Sequence, residues 1–600
     1  MKSIIKRKNS ILSYRNIFYL LALITLTLSP IFSQSSFYSD MVFTVFLFAG
    51  MSAAWNLVGG FTGQISLGHT VFFGVGAYTS TLLYLHFGWS PWINLIGGGL
   101  VATIFGVILG YPCFKLKSHF FALTSIAFGQ IMYFISLFWR ELTNGANGLL
   151  ISFNPGFSNI IFDSKIPYAY LALSFMLITL FVSYLIRKSK FGFYLIAIKE
   201  DQDAAESVGV NSSQYKLYIF MVSTFFTGIG GVLYARYIMY IDPASVFNVA
   251  LSIQLGVISI LGGLGMVLGP LFGAIIIIPL EILLRGWFGQ TFAGLNYVIY
   301  GALLIIMIRK APQGIVGWLK EKYQPYFESL LRVSNTQKLY DDIKIKEFVL
   351  INKYGKKGDV LLEVNKINKR FGGLRAVKDV SFYIKQGEIV GLIGPNGAGK
   401  TTLFNVITGF YQPESGIIKF MDKKITGLRP PYKVCDRSIA RTFQLVKSFN
   451  QITVLENVMV GAFHKINSYT IAEQFAKKII RFVGLEKSTY LLAKNLTLCD
   501  KKRVELARAL ATKPRLLLLD EIMSGLNPTE LNEFTILLRK ISNQGITLFI
   551  IEHVMKPVMT LSDRIIVLNY GEKIAEGSPK EVSENEKVIK AYLGEVKKFA

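Results

Sequence analysis

Asp, Glu, Lys and Arg are absent from six long runs in the first half of the chain, at 41–114, 118–139, 166–186, 217–235, 243–280 and 286–308. A membrane-spanning helix needs about 20 mostly apolar residues. The first run is long enough for about three spans and the fifth for about two, broken near Gly262–Pro270; the others hold one each. With the apolar stretch Ile17–Ser33, which follows Lys2, Lys6, Arg7, Lys8 and Arg15 and reads as a retained first helix rather than a cleaved leader, the expectation is about ten spans. An even number puts both termini on one side. The basic amino terminus, Lys115/Lys117, Arg187–Lys216 and Arg309/Lys310 then share a face, which the positive-inside rule makes cytoplasmic.

A mean hydropathy of +0.43 and 52% hydrophobic residues fit a bilayer as solvent. The net charge of +26 sits in short basic runs beside apolar segments, as for loops facing an anionic leaflet, and so argues against nucleic acid as the partner. Cys113, Cys435 and Cys499 lie far apart, which indicates neither a disulfide framework nor a zinc site.

Glycines such as Gly97–Gly99, Gly228, Gly230, Gly231, Gly262, Gly263 and Gly265 predict close helix packing. The polar interruption Gly59–His69 (GGFTGQISLGH) reads equally as a kink or as part of a translocation path. His69 is as good a helix-to-helix hydrogen-bond partner as a substrate contact, and carries no catalytic role. Between spans, Arg187–Ser213 is too charged for the bilayer. Lys199, Glu200, Asp201, Asp203 and Glu206 surround Ala204 and Ala205, predicting a cytoplasmic helix ended by Gly209 and suited to docking on another domain. The reading is an all-α polytopic membrane domain at 1–310, a partly helical linker at 311–359 and an α/β P-loop domain at 360–600 with a helical subdomain near Gln451–Leu510.

In that last region Glu388–Gly394 (EIVGLIG) reads as a strand leading into Pro395, Asn396, Gly397, Ala398, Gly399, Lys400, Thr401 and Thr402, followed by a helix up to Gly409. Gly394, Gly399, Lys400 and Thr401 fit G-x-x-x-x-G-K-[ST]. Its backbone N–H groups wrap phosphates, its lysine neutralises their charge and its hydroxyl takes magnesium. Leu516–Leu519 reads as a buried parallel strand delivering Asp520 to the metal and Glu521 to the attacking water. A second apolar run, Ile546–Ile551, delivers Glu552 and His553.

From Leu361 onward these residues resemble an ATP-binding cassette. Phe371 falls at the adenine-stacking position, Gln444 lies in ARTFQ at the position that contacts metal and water, Ser524–Asn527 form the following loop, and His553 faces the terminal phosphate. ARTFQ, SGLNP, IEHVMKPVM and VLNYGEKIAEGSP look like the ATPase of branched-chain amino-acid importers. Independently, WNLVGGFTGQISLGHTVFFGVGAYT, FALTSIAFGQI, TNGANGL, KEDQDAAESVGV and ILGGLGMVLGPLFGA resemble the permease of the same importers.

The resemblance implies ATP and Mg2+ as cofactors, Lys199–Val210 as a coupling helix, and an extracytoplasmic binding protein that delivers leucine, isoleucine, valine or a related small molecule. It also implies a cytoplasmic-membrane location with the cassette inside. Urea, short amides or small acids are alternative cargoes, and a non-transporting ATP sensor is an alternative role. The chain departs from the family at the signature, where Leu496, Thr497, Leu498, Cys499 and Asp500 stand for leucine-serine-x-glycine-glutamine. Cys499 adds a side chain and Asp500 a negative charge where a phosphate should dock. That departure predicts pairing with a different second permease–cassette half, in a heterodimer with one competent site.

Overall fold

The computed structural model describes residues 26–31, 35–114, 118–288, 295–311, 313–319, 321–322, 358–553 and 555–593. Most of the expected first helix, the Lys115/Lys117 loop and most of the linker lie outside them. The chain divides into two compact units, one of 1–195 with 213–342 and one of 196–212 with 343–600.

In the first unit the 41–114 run forms three helices, α1 (Ser36–Thr62), α2 (His69–Phe87) and α3 (Pro91–Cys113), followed by α4 (Ser118–Phe138) and α5 (Ile166–Lys188). Two helices of the intervening charged segment, α6 (Lys190–Glu200) and α7 (Gln202–Ser207), precede α8 (Ser212–Ile238). The 243–280 run breaks where expected, between α9 (Val249–Gly263) and α10 (Gly269–Phe288), and α11 (Leu295–Lys310) follows. Six of the described helical segments are long and apolar enough to cross a membrane.

The break after α1 is held by Trp55, whose indole Nε1 donates to Ser66 O at 2.7 Å. His69 Nε2 meets Ser223 Oγ of α8 at 2.8 Å, a helix-to-helix bond and so the first of the two readings left open for this histidine. Glycines set the closest approaches. A Cβ on Gly76 would lie 2.2 Å from Gly228 O, and one on Gly98 would lie 2.7 Å from Val232 Cγ2, so α2, α3 and α8 meet at a narrow waist.

In the second unit, β1 (Val360–Phe371), β2 (Leu374–Lys385), β4 (Ser415–Phe420) and β5 (Lys423–Lys424) form an antiparallel sheet in the order β2-β1-β4-β5; β3 (Ile389–Ile393) lies between β2 and β4 in sequence. A second sheet runs β10-β9-β3-β8-β7-β6, made from β3, β6 (Ile439–Arg441), β7 (Leu516–Asp520), β8 (Thr547–Ile551), β9 (Arg564–Asn569) and β10 (Glu572–Gly577). It is parallel except for the β9/β10 pair. Every residue of β3, β7 and β8 is buried, as the uninterrupted apolar runs require of central parallel strands. The helix after β3 is α12 (Lys400–Ile407), and the helical subdomain carries α13 (Val454–Ala462), α14 (Tyr469–Phe482) and α15 (Leu498–Ala511).

Residues 196–212 pack within this second unit. One helix was expected over this stretch, but the structure has two. Asp201 leaves helical geometry and caps α7, its Oδ1 accepting Ala204 N–H at 2.7 Å. Gly209, at φ +91°, ends the segment as expected, and a Cβ there would sit 2.1 Å from His464 Nδ1.

Candidate ATP site

The phosphate loop is shaped by its glycines. Gly394 (φ +152°) and Gly399 (φ +95°) each bring backbone so close that a Cβ would lie 2.1 Å from a carbonyl oxygen, of Leu568 and Ala376 respectively. Gly399 caps α12 without a side-chain acceptor, leaving the first N–H groups of an eight-residue helix for an anion. Lys400 is buried, and its Nζ donates to Gly394 O at 2.7 Å and Pro395 O at 3.0 Å. Burial lowers its pKa while Glu521 and Asp520 pull it back up. Thr401 and Thr402 follow in the first turn, and Phe371 closes β1 with its ring edge-on to Tyr411 at 5.1 Å.

The carboxyl ends of β7 and β8 bring together the residues expected from the two apolar runs. Gln444 Nε2 donates to Glu521 Oε2 at 3.0 Å, and His553 Nδ1 lies 3.6 Å from the same oxygen. Glu521 itself has φ +48°, and its N–H donates to Ile551 O at 2.9 Å, so its position is fixed from the neighbouring strand. Asp520 is fully buried. Its Oδ2 pairs with Arg441 Nη2 at 3.3 Å, while its Oδ1 is buried with no hydrogen-bond partner. Burial pushes this carboxyl up to about 6.

Arg441 was not anticipated. Its Nη1 donates to Asn405 Oδ1 at 2.6 Å and Thr408 Oγ1 at 3.0 Å, and its guanidinium lies over the rings of Phe410 and Phe443. It therefore joins α12 to Asp520. The available signal was a charged residue closing an otherwise apolar strand.

The degenerate signature opens α15. Thr497 Oγ1 accepts Asp500 N–H at 3.2 Å as the helix cap. Cys499 is buried in its own cassette, which raises its thiol pKa, whereas Asp500 stays partly exposed at the third helical position. Further along this helix, three charged residues missed from sequence point inward. Lys502 Nζ donates to Ile522 O at 2.8 Å and to Ser524 O, Glu505 Oε1 accepts Phe443 N–H at 2.8 Å, and Arg508 Nη1 donates to Lys447 O at 2.8 Å. Their spacing of three residues, which repeats one helix face, was the legible sign. Glu552 adds a further brace, its Oε1 accepting Met523 N–H at 2.7 Å.

Residues 196–212 end on the same network. Lys447 Nζ lies 3.1 Å from both Asp201 Oδ2 and Asp203 Oδ2, Asn450 N–H donates to Glu200 Oε2 at 2.8 Å, and Asn211 Nδ2 donates to Tyr432 Oη at 3.1 Å. Ala204 and Ala205 are fully buried, the close docking their size permits.

A strand–glycine loop–helix with a buried lysine, an acidic pair on the next strand and a glutamine and histidine on its glutamate define an ATP-binding cassette, here preceded by a polytopic helical domain. The helical domain matches the family described as branched-chain amino acid transport system / permease component over residues 37–308. Residues 377–524 match ABC transporter, and 572–598 match branched-chain amino acid ATP-binding cassette transporter. Among curated relatives, the high-affinity branched-chain amino acid transport ATP-binding protein BraF of Pseudomonas aeruginosa is 40% identical over 251 residues, 39% of this chain and 98% of that protein. LivG of Escherichia coli K12 is 41% identical over 251 residues with the same coverage. The probable LivG of Archaeoglobus fulgidus is 32% identical over 246 residues, 39% of this chain and 95% of that protein. A solved ATP-binding cassette of an ABC transporter in its ADP conformation is 33% identical, with 39% of this chain and 99% of that chain covered and a TM-score of 0.37. The chain belongs to the branched-chain amino acid ATP-binding cassette transporter family, with permease and ATP-binding components on one polypeptide.

Proposed function

We propose that this chain is one permease–ATPase half of an importer of branched-chain amino acids in the cytoplasmic membrane, with the cassette and both termini inside. The observation that carries this reading is that the two parts independently match components of one transport system. An extracytoplasmic binding protein delivers the cargo, and residues 199–210 couple the permease to the cassette through Lys447 and Asn450.

In the hydrolytic step the α12 N–H groups and Lys400 hold the phosphates. Lys400 exchanges its loop carbonyl partners for the incoming oxygens. Glu521 takes the proton of the attacking water, aligned by Gln444 on one side and His553 on the other. The donor set fits a magnesium ion, because Asp520 Oδ1 is a buried oxygen without a partner. Asp520, Thr401 and Gln444 would hold it, and it would supply neutralisation of phosphate charge. The signature supports an asymmetric assembly. Asp500 places a negative charge at the partly exposed start of α15, so a second half of different sequence supplies the intact signature opposite Lys400 and Glu521.

ATP hydrolysis in nanodiscs, by this chain alone and with a second half, with and without binding protein and leucine, tests the reading. Stimulation in the full mixture only supports it. Equal turnover by the chain alone overturns the heterodimer, stimulation by urea or an amide instead of leucine reassigns the cargo, and nucleotide binding without turnover in every mixture favours a sensor.

A further inference from the structure

Arg236 lies in the last turn of α8, 1% exposed, and Nε, Nη1 and Nη2 all lack a hydrogen-bond partner. Its guanidinium lies 4.1 Å from the ring centroid of Tyr84 on α2. A buried arginine with unsatisfied donors is costly, and at the end of an apolar helix such a residue points to a functional acceptor. The neighbouring layer is also unsatisfied. Ser80 Oγ and Thr81 Oγ1, one turn before Tyr84, and Asn94 Oδ1 of α3 are buried with no partner.

Helix geometry puts these groups together. At the waist Gly76, Gly98 and Gly228 bring α2, α3 and α8 into contact. One turn further along, Ser80 and Asn94 meet, Asn94 Nδ2 donating to Ser80 O at 3.3 Å, and two turns from Gly228 on the same helix face lies Arg236. Donors without acceptors on one helix and acceptor oxygens without donors on two others suit an occupant that carries both charges.

We propose that Arg236, with Ser80, Thr81, Tyr84 and Asn94, binds a zwitterionic amino acid inside this permease unit. Arg236 takes the α-carboxylate in a bidentate pair and the Asn94, Ser80 and Thr81 oxygens take the ammonium. The inference rests on the import reading and deepens it. Burial of Arg236 within its own bundle excludes a partner protein's side chain, leaving a small ligand admitted when the helices part.

The test measures saturable binding of radiolabelled leucine to the full chain in nanodiscs, with leucinamide and 4-methylpentanoate as competitors, beside leucine uptake by cells expressing the chain from its native locus. Expected are leucine binding, competition at least tenfold weaker from either analogue, and at least tenfold weaker leucine binding in Arg236→Gln, with partial recovery in Arg236→Lys. Competition by leucinamide equal to leucine overturns the site without needing any variant, as does undiminished binding in Arg236→Gln. Uptake by cells with no binding to the isolated chain removes the site and leaves the import reading standing; absence of chain-dependent uptake removes both.

Discussion

Glu505 accepts the backbone N–H of Phe443 at 2.8 Å, so the helix that starts at the degenerate signature holds the loop that carries Gln444. The same helix holds that loop again through Arg508 and Lys447 O, and it holds the segment after Glu521 through Lys502. A shift of α15 is therefore coupled to both Gln444 and the segment that follows Glu521.

Glu505 also sets a pH dependence. Burial pushes its carboxyl up to about 7 from an ordinary 4.5, against the pull of Arg508, the Phe443 N–H and Arg441. Between those two values the folded chain keeps a proton that the unfolded chain has lost, so stability falls as pH rises from about 4.5 to about 7 and stays lowered above that. Glu505→Gln removes this titration. Cassette thermal unfolding followed from pH 5 to pH 8 is expected to decline in the parent chain relative to the variant, and parallel curves would contradict the assignment.

Replacing Glu521 by Gln keeps the hydrogen bond from Gln444 within reach but removes the base. Turnover should fall by about 10²–10⁴-fold while ATP binding persists. Single-turnover hydrolysis together with nucleotide binding distinguishes this from a folding defect, since a variant that loses both is merely damaged.

Lys447 between Asp201 and Asp203 is the clearest charge contact of residues 196–212. These are partly exposed pairs, each worth up to about 1 kcal/mol. Lys447→Glu should therefore weaken docking severalfold and lower cargo-stimulated hydrolysis accordingly. Adding Asp201→Lys and Asp203→Lys should restore much of it, and failure of the swap to rescue would mean that the contact does not transmit stimulation.

At the signature, Cys499 is buried and Asp500 partly exposed, so on the proposed reading Asp500 is the group that opposes a phosphate. Asp500→Gln alone should raise turnover of the assembled transporter severalfold, and adding Cys499→Gly should contribute little more. If neither the single nor the double change alters the rate, the departure is tolerated and the argument for asymmetry falls.

Much of this architecture was legible because each part obeys a strong local rule. The 41–114 run divided into three helices as its length required, and the 243–280 run broke near the expected Gly262–Pro270. Gly394 and Gly399 are demanded by backbone approach, so the loop, Lys400 and the strand ends at Asp520 and His553 followed from spacing. The spacing of Lys502, Glu505 and Arg508 marks one helix face, but their partners, like those of Arg441, are distant in sequence, and only the fold brings Glu505 to Phe443. The break at Asp201 was missed because a side-chain cap competes locally with a continuous helix, and the sequence pattern supports either.

Residues 196–212 are encoded between two permease helices yet fold as part of the ATPase's compact unit. The boundary between the two machines is thus not collinear with the gene. A chimera cut only at the linker would transplant an ATPase without the piece of foreign chain that it is shaped to enclose, and grafting that short insert alongside the cassette is what would make the parts interchangeable.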